Sequence, residues 1–300
     1  MKSYKIFLSE VMAEMPSLII KRNELFSHHT SFGVGGKIAL YTEVDNEKDL
    51  IRLIKLCKVY DVDFFILGAG TNIIASDKRH DMFVIKVNIK KITVRGNKLI
   101  CGGGASLFAI NQAAQTSGLG GMEWSYGLPA SIGGAVVMNA GCFGGEMKDI
   151  VECVYYTDGE KIYRKYAKSL DFSYRHSYFQ GKQYVIFKVV LSLLPSSSEV
   201  VLHNCQKYLI ERHSRQPFSM RSAGSIFKKP DGTFAPYLIE KCGLKGVRIG
   251  DAEISKKHCG FIVNLKNAKF NDVFRLICKI KKTVYKKFAI MLEEEVIIIE

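Results

Sequence analysis

The chain has 300 residues and a mass of 33.7 kDa, enough for two domains and for a core that needs no disulfide bonds. Its 47% hydrophobic and 24% charged residues exclude a disordered or low-complexity protein, and no apolar run approaches the roughly 18 residues of a membrane span. The net charge of +14 fits a basic solvated surface, an anionic small-molecule substrate or, as a third alternative, nucleic acid, although no RNP-type aromatic motif or zinc finger is present.

Apolar periodicity and turn residues predict a chain of mixed helices and strands. In chain order these are a helix with its lead-in over 1–30, a helix over 46–60, strands over 64–67 and 82–87, a hairpin over 91–100 turning at Gly96-Asn97, a helix from Ser106 to Gly118, a hairpin turning at Asp158-Gly159, a strand over 184–194, helices over 199–213 and 271–287, and a closing strand over 290–299. Asp45 or Asn46 is the predicted N-cap of the second helix. Because strands and helices are mixed with many hairpins, the predicted class is α+β rather than a doubly wound parallel sheet.

Composition also bears on the environment of the chain. The apolar stretch near the N-terminus is interrupted by Glu10 and Glu14, which is not typical of a signal peptide. None of the eight cysteines forms a C-x-x-C pair, so the sequence indicates neither a zinc site nor a redox pair. We therefore expect reduced cysteines, no metal and a cytoplasmic protein.

Glycine is concentrated in the middle of the chain, where twelve of the 26 glycines lie in residues 102–145. Two segments, 67–73 and 127–135, combine glycines with Ser, Thr or Asn beside an apolar strand. Such loops either form simple turns or expose amide groups that cradle phosphate oxygens, and the residues alone leave both readings open. A Rossmann fingerprint is excluded because Ile73 stands where its third glycine belongs, and no Walker A spacing occurs.

Several motif blocks, taken together and in order over roughly residues 25–299, resemble the UDP-N-acetylenolpyruvoylglucosamine reductase family. The blocks are His29–Gly36, Gly68–Ile73, Gly127–Gly141, Tyr174-Arg175-x-Ser177-x-Phe179, Gly224-Ser225-x-Phe227-Lys228-x-Pro230, Gly243–Gly246 with His258-x-x-Phe261-Ile262-x-Asn264, and Leu292-x-x-Glu295-Val296. The connection between Arg175 and Ser225 is about 50 residues, too short for the extra tyrosine-bearing loop of one branch. The chain therefore resembles the branch without that loop.

The resemblance implies a fold, a cofactor and a reaction. The fold is an FAD-binding region of the vanillyl-alcohol-oxidase/p-cresol-methylhydroxylase type, with two α+β lobes over 1–78 and 79–195, followed by a substrate-binding α+β domain over 196–300. FAD is expected to be noncovalent and NADPH to be the electron donor. Hydride from flavin N5 would reduce UDP-N-acetylglucosamine enolpyruvate to UDP-N-acetylmuramate, a step of peptidoglycan precursor synthesis and thus of cell-wall biogenesis, cell shape and cell division. We expect a monomer that binds neither nucleic acid nor membrane.

The same resemblance assigns the site residues. Arg175 would stabilise the enolate because a guanidinium matches a carboxylate, Ser225 would protonate the carbanion, and Glu295 would orient Arg175 or share a proton. Strand alternation groups Glu293 with Glu295, and the motif selects Glu295 because it precedes Val296. The predicted FAD contacts are Gly68, Ala69, Gly70, Thr71, Asn72, Ile73, Gly127, Pro129, Ser131, Gly133, Gly134, Asn139 and Gly141. The predicted substrate contacts are Tyr174, Lys228 and Asn264, while His258 is as well explained by a structural hydrogen bond as by a ligand contact.

Two alternatives remain at this point. One is another FAD-dependent oxidoreductase of the same flavin superfamily, which would lack the joint set of Arg175, Ser225 and Glu295. The other is a basic nucleic-acid-binding module, which would be colourless and would retain DNA in a salt-sensitive way.

Overall fold

A computed structural model describes residues 4–300 of the chain. Its α-helices are α1 (Tyr4–Glu14), α2 (Glu47–Val59), α3 (Leu107–Thr116), α4 (Ile132–Val137), α5 (Met147–Ile150), α6 (Ser198–Arg215), α7 (Ala235–Lys241) and α8 (Phe270–Phe288). Three short 3-10 helices span Phe26–His28, Glu123–Ser125 and Ala167–Ser169. Among these residues, even the longest helices lack the apolar stretch that crossing a bilayer would need.

The strands are short and numerous. They are β1 (Ile20–Leu25), β2 (Lys37–Val44), β3 (Phe64–Leu67), β4 (Ile73–Ala75), β5 (His80–Val87), β6 (Ile92–Arg95), β7 (Lys98–Gly102), β8 (Leu119–Gly120), β9 (Gly141–Cys142), β10 (Gly145–Glu146), β11 (Val151–Thr157), β12 (Ile162–Tyr166), β13 (Val185–Ser192), β14 (Leu194–Pro195), β15 (Arg221–Ser225), β16 (Arg248–Ile249), β17 (Ala252–Ile254), β18 (Phe261–Asn264) and β19 (Ile297–Ile299).

The chain divides into two compact units built from interleaved segments. The first unit contains residues 1–22, 40–69 and 82–210, and the second contains 23–39, 70–81 and 211–300. The chain therefore passes from one unit to the other five times, the last time at residues 210–211. The division of the chain into 1–78, 79–195 and 196–300 stays a prediction.

The first unit is organised around an antiparallel sheet in the order β12-β11-β13-β7-β6. Helices α3 and α4 cover it with buried apolar residues such as Leu107, Ile110 and Ile132, which pack on Val189 and Leu191 of β13. A second core gathers α1, α2, β3 and β5, and β3 pairs with β5 in parallel.

Local sequence explains where these helices begin. The side chain of Asn46 accepts a hydrogen bond from the Asp49 amide at 2.9 Å, and that of Ser106 accepts one from the Ala109 amide at 3.2 Å. Both satisfy amide groups that the first helical turn leaves unpaired. The predicted caps are confirmed, with Asn46 rather than Asp45 in the first case.

The second unit contains an antiparallel sheet in the order β15-β18-β17-β16, with α8 packed on it. One face of α8 is buried through Val273, Leu276, Ile277, Ile280 and Val284, spaced three or four residues apart as an amphipathic helix requires. Parallel pairing of β19 with β4 ties the C-terminus to the segment that follows the first glycine loop.

Most predicted elements are confirmed within a few residues, including both hairpins and the helices over 46–60, 106–118, 199–213 and 271–287. The helix predicted within 1–30 covers Tyr4–Glu14, and residues 1–3 of that prediction lie outside the described residues. The closing strand predicted over 290–299 is wrong in length, because only Ile297–Ile299 pairs as a strand and Glu294 forms one isolated bridge with Phe227. That bridge depends on a distant partner, which a local apolar pattern cannot reveal.

The cysteines are free thiols, five of them buried, and only Cys278 is exposed. Burial raises the pKa of Cys57, Cys101 and Cys205 to about 12, so these thiols are neutral and pack as small apolar groups. Among residues 4–300, no group of three potential ligands could hold a metal ion.

Candidate active site

Three glycine-bearing segments meet in the first unit, after β3, after β7 and before α4. A Cβ added at Gly68 would lie 2.5 Å from Ser131 Oγ and 3.9 Å from the Gly134 Cα, and one added at Gly133 would lie 2.9 Å from the Gly103 carbonyl oxygen. The Gly133 amide also donates to that carbonyl at 2.9 Å. Side chains larger than hydrogen are therefore excluded from the inner surface of these loops, which leaves backbone close to any ligand.

Ser131 is the polar group of this cradle. It precedes α4 in the N-cap position, is 5% exposed, and its Oγ makes no hydrogen bond within residues 4–300. A buried hydroxyl without a partner costs stability unless a ligand or water satisfies it. The unsatisfied hydroxyl is compatible with the FAD contact predicted for Ser131, which stays a prediction.

The first glycine loop continues into the second unit. A Cβ at Gly70 would lie 1.9 Å from the His29 carbonyl oxygen, and Gly70 has a φ of +68°, so only glycine fits there. The Gly70 carbonyl accepts from the Ser31 amide at 3.0 Å, and the Ser31 hydroxyl donates to the Ser222 carbonyl at 2.6 Å. These contacts hold the loop, the motif His29–Gly36 and the start of β15 together.

Arg175 lies at a tight turn of the first unit. Ser173 and His176 exchange backbone hydrogen bonds of 3.2 and 3.1 Å, and Arg175 between them has a φ of +54°, which is strained for a non-glycine residue. Its guanidinium is half-buried, donates to the Gly141 carbonyl at 3.0 Å and lies 5.0 Å from the centre of the exposed Tyr174 ring. The strained turn fixes this cation at the end of the second glycine segment.

The side chain of Asn139 supports the turn that carries Arg175. It is fully buried, its side-chain amide donates to the Ser173 carbonyl and to Glu146 Oε2, both at 2.9 Å, and its Oδ1 accepts from the Lys148 amide at 3.0 Å. The FAD contact predicted for Asn139 stays a prediction, and what the structure establishes is support of the Arg175 turn.

Ser225 is the last residue of β15 and follows a β-bulge. Ser222 pairs with Val263 and Ser225 with Phe261, so an advance of three residues along β15 matches an advance of two residues along β18. Gly224, within the bulge, has a φ of +74°. A bulge redirects the side chain that follows it. The hydroxyl of half-buried Ser225 makes no hydrogen bond within residues 4–300, which leaves its proton available to a ligand.

The backbone of Glu295 is bonded to Ile226, the residue after Ser225, in the second unit. The Glu295 amide donates to the Ile226 carbonyl at 2.8 Å, and the Glu295 carbonyl accepts from the Asn72 side chain at 3.1 Å. The Ile297 amide in turn donates to the Asn72 carbonyl at 2.9 Å. Two of the three predicted catalytic residues therefore lie on neighbouring backbone segments, and Asn72, predicted as an FAD contact, holds one of them.

The other two carboxylates of the acidic run have their own cations. Glu293 forms an ion pair with Lys228, and Glu294 accepts two hydrogen bonds from Lys281 Nζ, at 2.7 and 2.9 Å. Lys228 was predicted as a substrate contact, and that role stays a prediction beside its observed ion pair. The catalytic role of Glu295 stays a prediction.

Asn264 is 5% exposed and its polar atoms serve the protein backbone. Its amide donates to the Phe32 carbonyl at 3.0 Å, and its Oδ1 accepts from the amides of Lys266 and Ala268 at 3.2 and 2.9 Å. These bonds fix the motif around Phe32 against the end of β18. The substrate contact predicted for Asn264 stays a prediction.

A cavity of about 370 Å³ opens in the second unit. Its lining combines aromatic rings with basic groups and consists of Phe234, Pro236, Tyr237, Glu240, Lys245, Lys257, His258 and Cys259. Desolvation lowers the pKa of His258, so the imidazole is neutral at pH 7, and its Nδ1 accepts from the Gly260 amide at 3.2 Å. The structural hydrogen bond of His258 is therefore observed, whereas a ligand contact stays a prediction, although the side chain lines the cavity.

Sequence reasoning missed several of these groups. Lys281 belongs to a run of lysines on α8, but a signal for it existed, because it lies four residues after Ile277 and three before Val284, at the edge of the apolar face, whereas Lys282 lies opposite. Arg212 is 2% exposed. The sequence indicates this burial, because Arg212 continues the helical spacing of Val201, Cys205 and Tyr208 on α6. A cation at such a position predicts a buried charge, which proteins rarely keep without a specific interaction.

Comparisons with known proteins assign both parts of the chain. A family model described as the FAD binding domain matches residues 38–160, and one described as the C-terminal domain of UDP-N-acetylenolpyruvoylglucosamine reductase matches residues 216–299. The UDP-N-acetylenolpyruvoylglucosamine reductase of Pseudothermotoga lettingae is 40% identical over 278 residues, which cover 92% of this chain and 96% of the relative. That of Clostridium tetani is 35% identical over 301 residues, covering 100% and 98%.

Solved structures agree. The crystal structure of UDP-N-acetylenolpyruvylglucosamine reductase from Thermus caldophilus is similar with a TM-score of 0.82 and 32% identity, covering 94% of this chain and 100% of that one. These matches confirm the predicted α+β class, with an FAD-binding region of the vanillyl-alcohol-oxidase type and a distinct C-terminal domain.

Proposed function

The chain belongs to the UDP-N-acetylenolpyruvoylglucosamine reductase family, and we propose that it reduces UDP-N-acetylglucosamine enolpyruvate to UDP-N-acetylmuramate with NADPH as electron donor. This places it in peptidoglycan precursor synthesis, and through it in cell shape and division, as a cytoplasmic monomer. The observation that supports the reaction most strongly is the bulged end of β15, where the Ser225 hydroxyl makes no hydrogen bond within residues 4–300 and the Glu295 amide donates to the carbonyl of Ile226, the residue after Ser225.

The residues of the first unit fit FAD. Gly68, Gly133 and Gly134 let the loops pack closely around the buried hydroxyl of Ser131, which makes no hydrogen bond within residues 4–300 and can therefore donate to a phosphate oxygen. We assign Ser131 and these glycines to the cofactor, together with the other predicted residues of the two glycine segments. When bound, FAD supplies the hydride that passes from NADPH to the substrate.

Arg175 has the chemistry to hold the enolpyruvyl group. Hydride addition to the vinyl methylene carbon leaves negative charge on the neighbouring carbon and on the carboxylate, and a planar guanidinium stabilises both by paired hydrogen bonds. The strained turn and the bond to the Gly141 carbonyl pre-orient the side chain, so little ordering is needed when charge develops.

Ser225 is the proposed acid. A serine hydroxyl is a weak acid, but the substrate carbanion is a strong base, so a positioned hydroxyl can donate its proton to carbon. The hydroxyl has no competing acceptor within residues 4–300, and Gly224 lets the backbone approach a ligand closely. Glu295 either orients Arg175 or shares a proton with the enolate.

The nucleotide part of the substrate fits the cavity of the second unit. The rings of Phe234 and Tyr237 are 60% and 53% exposed, which suits stacking on a base, and Lys245 and Lys257 supply charge for a diphosphate. Tyr174, Lys228 and Asn264 are the further substrate contacts proposed from the sequence.

The function is tested on the purified holoprotein by its visible spectrum. NADPH under anaerobic conditions should bleach the flavin band, and the UDP-enolpyruvyl sugar should restore it with formation of UDP-N-acetylmuramate. Acid denaturation should release all flavin into the supernatant, because no covalent bond is expected. A reduced flavin that the UDP-sugar cannot reoxidise would contradict the assigned substrate.

A further inference from the structure

The backbone register of the acidic run Glu293–Glu295 decides which of its carboxylates lies beside the segment that carries Ser225. The inference drawn from it rests on the proposed function, in which Glu295 alone of the three has a role. Three adjacent carboxylates are chemically equivalent, and their amides alternate in direction as in a strand. A slip by one residue would place the side chain of Glu294 where that of Glu295 now lies, opposite Ile226. Something other than the run itself must select the carboxylate.

The two ends of the segment are anchored by apolar burial. Leu292 is 2% exposed and Val296 is 5% exposed, and both belong to the core of the second unit. Between them the backbone pairs with 226–228, through the Lys228 amide to the Glu293 carbonyl at 2.9 Å and the Glu295 amide to the Ile226 carbonyl at 2.8 Å. These contacts set the ends but leave the three side chains to be distinguished by their neighbours.

Glu294 is distinguished by α8. Lys281 Nζ donates to both of its oxygens, and the two side chains are only 33% and 25% exposed, so solvent screens the pair less than a surface ion pair. Five buried apolar residues hold α8 to the sheet, which fixes the position of the ammonium group. The next lysine, Lys282, is exposed and has no carboxylate partner within residues 4–300.

We propose that Lys281 is a positioning residue for Glu295: by binding Glu294 it supports the register that the buried ends and the backbone pairing set, and so holds Glu295, rather than Glu294, beside the segment that carries Ser225. It also neutralises the carboxylate next to Glu295, which reduces like-charge repulsion among the three adjacent carboxylates. Lys281 acts through Glu294 and touches no substrate.

The two half-reactions separate this role from a general loss of structure. In Lys281→Met, flavin reoxidation by the UDP-enolpyruvyl sugar should slow about tenfold, while flavin reduction by NADPH stays within twofold. Lys282→Met, the same change one residue along the same helix, should leave both rates unchanged. Lys281→Arg should retain most of the reoxidation rate, because it keeps the bond to Glu294.

A charge exchange tests the pair if the single variant is poorly folded. Lys281→Glu should impair reoxidation more than Lys281→Met, and Lys281→Glu with Glu294→Lys should recover at least part of the rate. Wild-type reoxidation in Lys281→Met, equal slowing of both half-reactions, or no recovery in the exchange would each overturn the positioning role. Glu295→Gln in the otherwise unchanged enzyme is the separate control: if it reoxidises at the normal rate, the proposed role of Glu295 itself is wrong.

Discussion

Replacement of Ser225 by alanine should separate hydride transfer from protonation. The change removes a hydroxyl that makes no hydrogen bond within residues 4–300, and it leaves the bulge intact because the positive φ is at Gly224. We therefore expect the free energy of unfolding to change by less than about 0.5 kcal/mol. Loss of a positioned acid typically costs about 10² to 10⁴ in rate, so reoxidation should fall about 10³-fold, or about 4 kcal/mol in activation free energy.

Stopped-flow absorbance of the flavin measures the two half-reactions separately. Reduction by NADPH should stay within a few-fold of wild type, because that half-reaction forms no carbanion, and Ser225→Cys should recover part of the reoxidation rate because a thiol also donates a proton. Ser222→Ala, on the same strand, is the matched control and should behave as wild type. Near-normal reoxidation in Ser225→Ala, or loss of FAD from that variant, would refute the assignment.

Three further predictions follow from other contacts. Arg175→Lys keeps the charge but loses the planar guanidinium group, so flavin reoxidation by the UDP-sugar should slow at least about tenfold, or about 1.4 kcal/mol in activation free energy, while flavin reduction by NADPH stays normal. Equal slowing of both half-reactions would contradict a role of Arg175 at the enolpyruvyl group. Ser131→Ala should weaken FAD binding about tenfold in a fluorescence titration of the apoprotein, and it should not lower the stability of the apoprotein, because the hydroxyl is unsatisfied there. Ser106→Ala is the control: loss of its helix cap should cost about 1 kcal/mol of stability and leave FAD affinity unchanged. Desolvation raises the pKa of Asp158, but hydrogen bonds from two backbone amides and a tyrosine hydroxyl outweigh it and lower the pKa to about 2. The carboxylate thus contributes stability above its ordinary pKa of 3.8, and that contribution is lost as pH falls towards 2; denaturant unfolding of wild type and Asp158→Asn should converge over this interval, and a constant difference between them would contradict the shift.

The sequence predicted best what is local. Helix caps, hairpin turns and apolar periodicity depend on residues a few positions apart, and the caps at Asn46 and Ser106 and the turn at Gly96 lie where those patterns indicate. The resemblance added what no local pattern contains, namely the family and the roles predicted for Arg175, Ser225 and Glu295.

The sequence predicted least well what depends on distant partners. The closing strand is interrupted because Glu294 bridges Phe227, far away in the chain. The segment 195–198 consists of one proline and three serines, a composition typical of a linker, but it is bonded to the end of α3, since the Ser198 hydroxyl donates to the Gln115 carbonyl at 2.8 Å. Small polar residues suit either role, so composition alone does not distinguish a flexible linker from a well-bonded junction.

The same distinction separates the polar residues within the motifs. Asn139 and Asn264 are buried and use both ends of their amides on backbone or side-chain partners, so they hold loops in place whatever else they contact. Ser131 and Ser225 lie in equally ordered surroundings, yet their hydroxyls make no hydrogen bond within residues 4–300. For buried Ser131, folding alone gains nothing from an unsatisfied hydroxyl, so its presence in a motif favours a ligand contact, whereas the unbonded hydroxyl of half-buried Ser225 is accessible to a ligand or to water. A fully bonded amide favours support of the backbone instead. Motif membership therefore identifies the region of the site, and the hydrogen-bond partners identify which of its residues remain available for chemistry.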